Sequence, residues 1–214
     1  EEKHIPLRVE KVLGHSATAL VESVHCRRIR LARKTIKCSR RLHKEDAIKE
    51  VQTLQRLQHQ HIVRVVGTYT LKKDLSILLY PATEYNLEEF MDEAVDHLLP
   101  SPHRKALERF FGCLSTAVSF LHDNNVKHMD IKPKNLLVRN LATLNTNRRS
   151  YFRIYIADFG ISRSYQSPSE SETDSPTSFT RTYAAPEVVI QDKRGFSADI
   201  FSLGCVFAEM LATL

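Results

Sequence analysis

His128-Met129-Asp130-Ile131-Lys132-Pro133-Lys134-Asn135, followed by the apolar run Leu136-Leu137-Val138, is the stretch from which the fold is read. It sets an acid, a lysine and an amide in one short loop ahead of a predicted strand. A carboxylate there can orient a hydroxyl and take its proton. An ammonium can offset negative charge as it develops, and an amide oxygen can ligate a hard cation. Asp-x-Lys alone would carry little weight; the order of all eight residues is what makes demands on the rest of the chain.

The chain of 214 residues is long enough to bury a core as one large domain or two lobes. Its apolar content of 42% and charged content of 26% are those of an ordinary globular protein. No apolar run approaches a membrane span, and Glu1-Glu2-Lys3-His4 has no signal-peptide character, so an intracellular protein, cytoplasmic or nuclear, is expected, with no membrane partner. Cys26, Cys38, Cys113 and Cys205 lack metal-type spacing and read as reduced thiols. The net charge of +6 is densest between Arg27 and Arg41. That segment lacks interleaved aromatic residues and alternates Ile29, Leu31 and Ile36 among cations. It reads as a strand with solvated ends and not as a nucleic-acid surface.

The loop at 128–135 resembles the catalytic loop of protein kinases, H-R-D-x-K-P-x-N, with Met129 where that family usually has arginine. Other motifs fall in the family's order. Leu13-Gly14-His15-Ser16-Ala17-Thr18-Ala19-Leu20-Val21 is similar to the glycine-rich turn, keeping Gly14 and Val21 but placing Ser16 and Ala19 at the second and third glycines. Ala32-Arg33-Lys34 is similar to V-A-x-K, and period-two alternation puts Ala32 and Lys34 on one face. Tyr151 to Ala157 alternates into Asp158-Phe159-Gly160. Thr180-x-x-Tyr183-Ala184-Ala185-Pro186-Glu187 is similar to the segment that closes the activation loop, and Asp199-Ile200-Phe201-Ser202-Leu203-Gly204-Cys205-Val206 to D-x-W-S-L-G-C-V.

The resemblance implies an α+β, bilobal protein-kinase-like fold. Residues 1–82 would form a β-rich N-lobe with one helix and the hinge; residues 83–214 would form a mainly helical C-lobe lacking its last helices. Strands are expected over Leu7–Leu13, Thr18–Glu22, Arg28–Lys37, Ile62–Tyr69 and Leu75–Tyr80. Ala47, Val51, Leu54 and Leu57 fall at helical spacing in Lys44–Leu57. Asn86 and Glu89 form a capping box opening a helix over Leu87–Val95. Ser101-Pro102 starts another, buried along Leu107, Phe110, Phe111, Leu114, Ala117, Val118 and Leu121 and ending near His122-Asp123-Asn124. Arg139–Ser150 reads as a polar surface excursion and Ser162–Thr182, rich in serine and threonine, as a segment with little to anchor it.

The resemblance also implies the site. Asp130 would orient a protein substrate's hydroxyl and accept its proton, Lys132 would stabilise the transferred phosphoryl group, and Asn135 would hold one Mg²⁺ while Asp158 holds another bridging the phosphates. ATP would meet Gly14, Val21, Ala32, Lys34, Leu79, Leu137 and the backbone of Tyr80 and Ala82. Glu50 would pair with Lys34, with Glu45 and Asp46 as nearby competitors; taken alone Lys34 reads as a surface lysine, and the order of the surrounding motifs reverses that. A ribose contact from Asn86 is a secondary reading. His128 would be structural and not a base, stacking with Leu54, Val65 and Phe159. Thr180 would bond Asp130 and Lys132, a serine/threonine-type mark, and Asp199 would cap the loop backbone.

Methionine cannot bind phosphate, so Met129 implies activity independent of activation-loop phosphorylation through that contact. A large gain in activity on phosphorylating a serine or threonine between Ser162 and Thr180 would contradict this. Glu187 has no arginine partner in the sequence, and exposed apolar surface on the last helix implies a partner chain covering the C-lobe. Two functions follow: an ATP- and Mg²⁺-dependent protein serine/threonine kinase, or a catalytically weak pseudokinase acting as a nucleotide- or protein-binding scaffold.

Overall fold

The computed structural model describes residues 6–15, 19–37, 51–52, 55–95, 102–142, 151–158, 163–164, 180–190 and 195–214. The chain divides into two compact units: residues 1–58 with 63–82, and residues 59–62 with 83–214.

Alternating β-formers build the first unit. Its strands are β1 (Leu7–His15), β2 (Ala19–Cys26), β3 (Ile29–Ile36), β4 (Arg64–Leu71) and β5 (Asp74–Tyr80). They form one antiparallel sheet in the order β1-β2-β3-β5-β4. The register sets Val21 opposite Lys34 and Lys34 opposite Ile77; Ser23 faces Ala32 and Ala32 faces Leu79. Directly opposed residues share a face, so these six positions lie on one side of the sheet. The same side carries a core of Ile36, Val51, Leu75 and Ile77, with Ala19, Val65 and Leu79 against it. Val51 comes from helical backbone at 51–52 and 55–56, within the helix expected over 44–57.

Across the sheet, Arg33 pairs with Glu22 at 2.7 Å and donates to the Tyr69 hydroxyl at 3.1 Å. Arg30 pairs with Glu10 at 2.8 Å. Two cations of the basic segment are therefore tied into the sheet instead of forming an open basic face.

Every strand differs from expectation by a residue or more at an end, β1 running on to His15 and β4 to Leu71, and two of the differences have a visible cause. β2 continues past Glu22 to Cys26, because the tight turn at Arg27-Arg28 (Arg27 at φ 55°) closes it onto Ile29. β4 begins at Arg64 and not at Ile62, because Ile62 instead bridges Ile156 in the second unit. An apolar run shows burial but not which strand it pairs with.

The second unit begins its helices with α1 (Leu87–Val95). The Asn86 side chain accepts from the Glu89 N–H at 3.0 Å, and Glu89 accepts from the Asn86 N–H at 2.9 Å, a reciprocal capping box. The 22-residue α2 (Pro102–Asp123) buries Ala106, Leu107, Phe110, Leu114, Ala117, Val118 and Leu121. Phe90 of α1 meets Phe110 at 5.6 Å and Phe152 at 4.8 Å, offset geometries favourable to aromatic rings. Phe111, expected in the core, is half-buried and packs on Phe207 at 4.8 Å.

Short strands frame the loop read first: β6 (Tyr85–Asn86), β7 (Val126–Lys127), β8 (Leu136–Asn140), β9 (Phe152–Ile156) and β10 (Arg163–Ser164). They pair as β6-β8-β9 and β10-β7. β8 thus takes up Arg139 and Asn140, assigned from sequence to a surface excursion. Helices α3 (Pro186–Val189) and α4 (Ser197–Thr213) follow. α4 buries Ala198, Asp199, Ser202, Leu203, Val206 and Met210 and leaves Ile200, Phe201 and Leu211 exposed. Cys26, Cys113 and Cys205 are half-buried free thiols; Cys38 lies outside the described residues. Among the described residues no helix is long and apolar enough to cross a membrane.

Candidate active site

The left-handed Asn125 (φ 56°) turns the chain out of α2 and into β7. The next residues are held from below by Asp199, which is fully buried. One carboxylate oxygen accepts from the His128 N–H at 2.8 Å and lies 3.0 Å from His122 Nε2; the other accepts from the Met129 N–H at 2.8 Å. Met129 itself is left-handed at φ 69°, a conformation that costs a non-glycine residue on the order of 1–3 kcal/mol. A buried carboxylate accepting both N–H groups is what holds that turn.

His128 is fully buried. Its Nε2 lies 2.9 Å from the Ala157 carbonyl, which can only accept, so Nε2 carries the proton. Nδ1 then accepts from the Asp130 N–H at 3.3 Å. Both nitrogens are committed to backbone, which leaves this histidine no lone pair for base chemistry. Of the stack expected around it, Leu54 and Phe159 lie outside the described residues.

Asp130 emerges as the hub. Lys132 Nζ lies 2.7 Å from its Oδ2 and donates to Thr180 Oγ1 at 2.9 Å. Thr180 in turn donates to Asp130 Oδ1 at 3.4 Å. Asn135 donates through Nδ2 to both the Asp130 carbonyl and Oδ2, each at 2.8 Å. A 3₁₀ turn, Pro133–Asn135, brings it there, with proline tolerated in the first turn. With Nδ2 donating to Asp130, the amide oxygen is the atom of Asn135 that could ligate a cation. The Ala157 N–H donates to the Asn135 carbonyl at 3.0 Å, placing Asp158 one residue along. Asp158 is left-handed at φ 62°.

Thr180 is seated by the helices beneath it. Tyr183 donates to Glu209 of α4 at 2.8 Å, and Ser202 donates to the Tyr183 carbonyl at 2.7 Å. Burial first, then the bond to Glu209, pushes the Tyr183 phenol far above its ordinary range. Beside Asp130 a shallow pocket is walled by Met129, Thr180, Tyr183, Ala184 and Val188. Glu187 accepts from Ser197 at 3.3 Å. Neither His122 nor Glu209 is marked by its own sequence context, and each is found through the partner it holds; Ser202 stands in the Asp199–Val206 motif, which does not foretell its bond to the Tyr183 carbonyl.

The other expected residues lie in the first unit, except Leu137, which lies in the second. Gly14 faces Val21, Val21 faces Lys34, and the small, buried Ala32 faces Leu79. Tyr80 ends β5 with the Arg64 guanidinium 5.7 Å from its ring centre, and Ala82 is buried. Leu137 lies on β8 opposite Asn86. Glu50, Ser16 and the glycine of Asp158-Phe159-Gly160 lie outside the described residues.

These residues fit a magnesium nucleotide. An amide oxygen and a carboxylate are hard donors, and Mg²⁺ is usually held by one or two such groups plus phosphate oxygens. Among the described residues no cluster of three or more His, Cys, Asp or Glu could form an all-protein cage. A Cβ added at Gly14 would meet nothing within 4 Å in the protein, so the glycine leaves open space on that backbone.

The sequence profile of the protein kinase domain matches residues 7–213, and the chain belongs to the eukaryotic protein kinase family. It is 32% identical over 167 residues to cyclin-dependent kinase E-1 of Arabidopsis thaliana, spanning 77% of this chain and 34% of that protein. It is 32% identical over 177 residues to cell division control protein 2 homolog 1 of Trypanosoma brucei brucei, spanning 79% and 53%. With cyclin-dependent kinase 7 of Dictyostelium discoideum the identity is 31% over 166 residues, spanning 77% and 41%. The chain therefore covers from about a third to about half of the length of these relatives.

Proposed function

We propose that the chain is a protein serine/threonine kinase, passing the γ-phosphoryl group of ATP to a seryl or threonyl hydroxyl of a protein. The observation that carries this is the closed set of contacts among Asp130, Lys132, Asn135 and Thr180. Phosphoryl transfer demands positioning and charge stabilisation more than covalent participation. Asp130 orients the incoming hydroxyl and takes its proton. Lys132, held between Asp130 and Thr180, offsets charge on the transferred group. Asn135 and Asp158 hold Mg²⁺, whose charge, when bound, neutralises the phosphates. Lys34 is assigned to the phosphates; Glu50, its expected partner, lies outside the described residues. Val21, Ala32, Leu79 and Leu137 are assigned to the adenine, and the backbone of Tyr80 and Ala82 to its edge. On this reading residues 1–82 grip the nucleotide and residues 83–214 carry the catalytic groups.

Lysine two places after the aspartate, tied to a threonine of the closing segment, supports a hydroxyl of serine or threonine as the acceptor. Phosphoamino-acid analysis of a mixed protein substrate tests this. Phosphoserine and phosphothreonine are expected; phosphotyrosine as the main product would overturn it. Two of the relatives are named cyclin-dependent, and a protein partner of that kind belongs to the proposal. The scaffold alternative rests on Met129 and the two lost loop glycines, and nucleotide binding without any transfer would favour it.

A further inference from the structure

We infer that Glu10, Ser23 and Arg30 form a register lock that positions Gly14 over the nucleotide's phosphates. The inference rests on the ATP reading above and adds residues the kinase motifs do not contain. The pairing of β1 with β2 breaks twice. Val9 faces Val24 and Lys11 faces Ser23, so Glu10 is an extra residue; Val12 faces Glu22 and Gly14 faces Val21, so Leu13 is another. Each break is a β-bulge.

β1 has little else to hold these bulges in place. It is an edge strand, and every residue from Arg8 to Leu13 is exposed. Register is weakly specified where no face is buried. The Glu10 carboxylate supplies the missing constraint. It accepts from Ser23 at 2.6 Å and from Arg30 Nε at 2.8 Å, while Arg30 also donates to Ser23 at 3.0 Å. Ser23 is fully buried, so the bulged residue on β1 is bonded to a fixed point on β2 and a cation on β3. The bonds from Ser23, then Arg30, hold the Glu10 carboxyl below its usual range.

The consequence falls on the residues that cover the nucleotide. Were Glu10 drawn into the ladder, β1 beyond it would shift one place. Leu13 would then face Val21, and the bare backbone of Gly14 would leave the position beside the Val21–Lys34 pair. A leucine side chain would stand where backbone N–H groups approach phosphate. Contacts to the phosphates should suffer and contacts to the base should not.

Calorimetric titration of the intact chain and its Glu10→Gln variant with ATP, and separately with adenosine, tests this. Affinity for ATP should fall about tenfold, the scale of losing a charge-assisted hydrogen bond, and affinity for adenosine should stay within about twofold. Ser23→Ala, which removes one hydroxyl and keeps both charges, should shift ATP in the same direction and serves if the first variant does not fold. Equal weakening of both ligands, or no change in either, would overturn the lock. A wild-type chain that binds neither ligand would overturn the nucleotide reading itself and the lock with it.

Discussion

Replacing Asp130 with asparagine should lower the rate of phosphoryl transfer by about 10²–10⁴-fold, the usual worth of a positioned general base, with little loss of fold. The substitution keeps the side chain's shape. The retained oxygen can still accept from Asn135 and Lys132, which lie 2.8 and 2.7 Å from Oδ2. What disappears, on the proposed function, is the basicity of the oxygen assigned to the substrate hydroxyl. Lys132 keeps Thr180 as a partner at 2.9 Å, so its ammonium is not abandoned. Steady-state rates, with melting curves of both proteins, check the prediction. A melting temperature within a few degrees of wild type assigns the lost rate to chemistry.

Asp199→Ala should act in the opposite manner, through stability. The wild-type carboxylate is fully buried and accepts from the N–H groups of His128 and Met129, with His122 against it. Alanine leaves one buried and one part-buried N–H group without acceptors, the buried one costing about 1–3 kcal/mol, and a cavity besides. A loss of about 3–5 kcal/mol is expected, the range seen when a buried charged group is removed from its partners. Met129 would also lose the bond that holds its left-handed backbone, so any chain that still folds should transfer phosphate more slowly. Denaturant unfolding gives the first quantity; an unchanged midpoint would show that Asp199 does not carry the loop.

Much of this architecture was legible because local chemistry and order agreed. The apolar patterns at 28–37 and 75–80 marked strands, which the structure places at Ile29–Ile36 and Asp74–Tyr80, and the Asn86–Glu89 pair marked a helix start that the structure closes with two hydrogen bonds. The catalytic loop was legible because it is contiguous: Asp130, Lys132 and Asn135 lie within six residues, and a 3₁₀ turn suffices to bring them together. The prediction that Thr180 and Asp199 would meet that loop came from family resemblance, since nothing local in either segment specifies contacts across 50 and 70 residues.

What stayed hidden depended on pairing between distant strands. Ile62 has the same apolar character whether it continues β4 or bridges Ile156. The bulge at Glu10 cannot be seen from β1 alone, because a bulge exists only relative to a partner strand. His122 and Glu209 carry no motif of their own, and each acquires meaning from a partner placed by the tertiary fold.

The central claim is that Asp130, Lys132, Asn135 and Asp158 are assembled for magnesium-dependent phosphoryl transfer. Its most direct test is transfer of labelled γ-phosphate from ATP to a serine-containing protein by the purified chain, with Mg²⁺ and after chelation. Transfer that depends on Mg²⁺ and falls to background in Asp130→Asn is predicted. Label incorporation no greater in the wild type than in Asp130→Asn would contradict it.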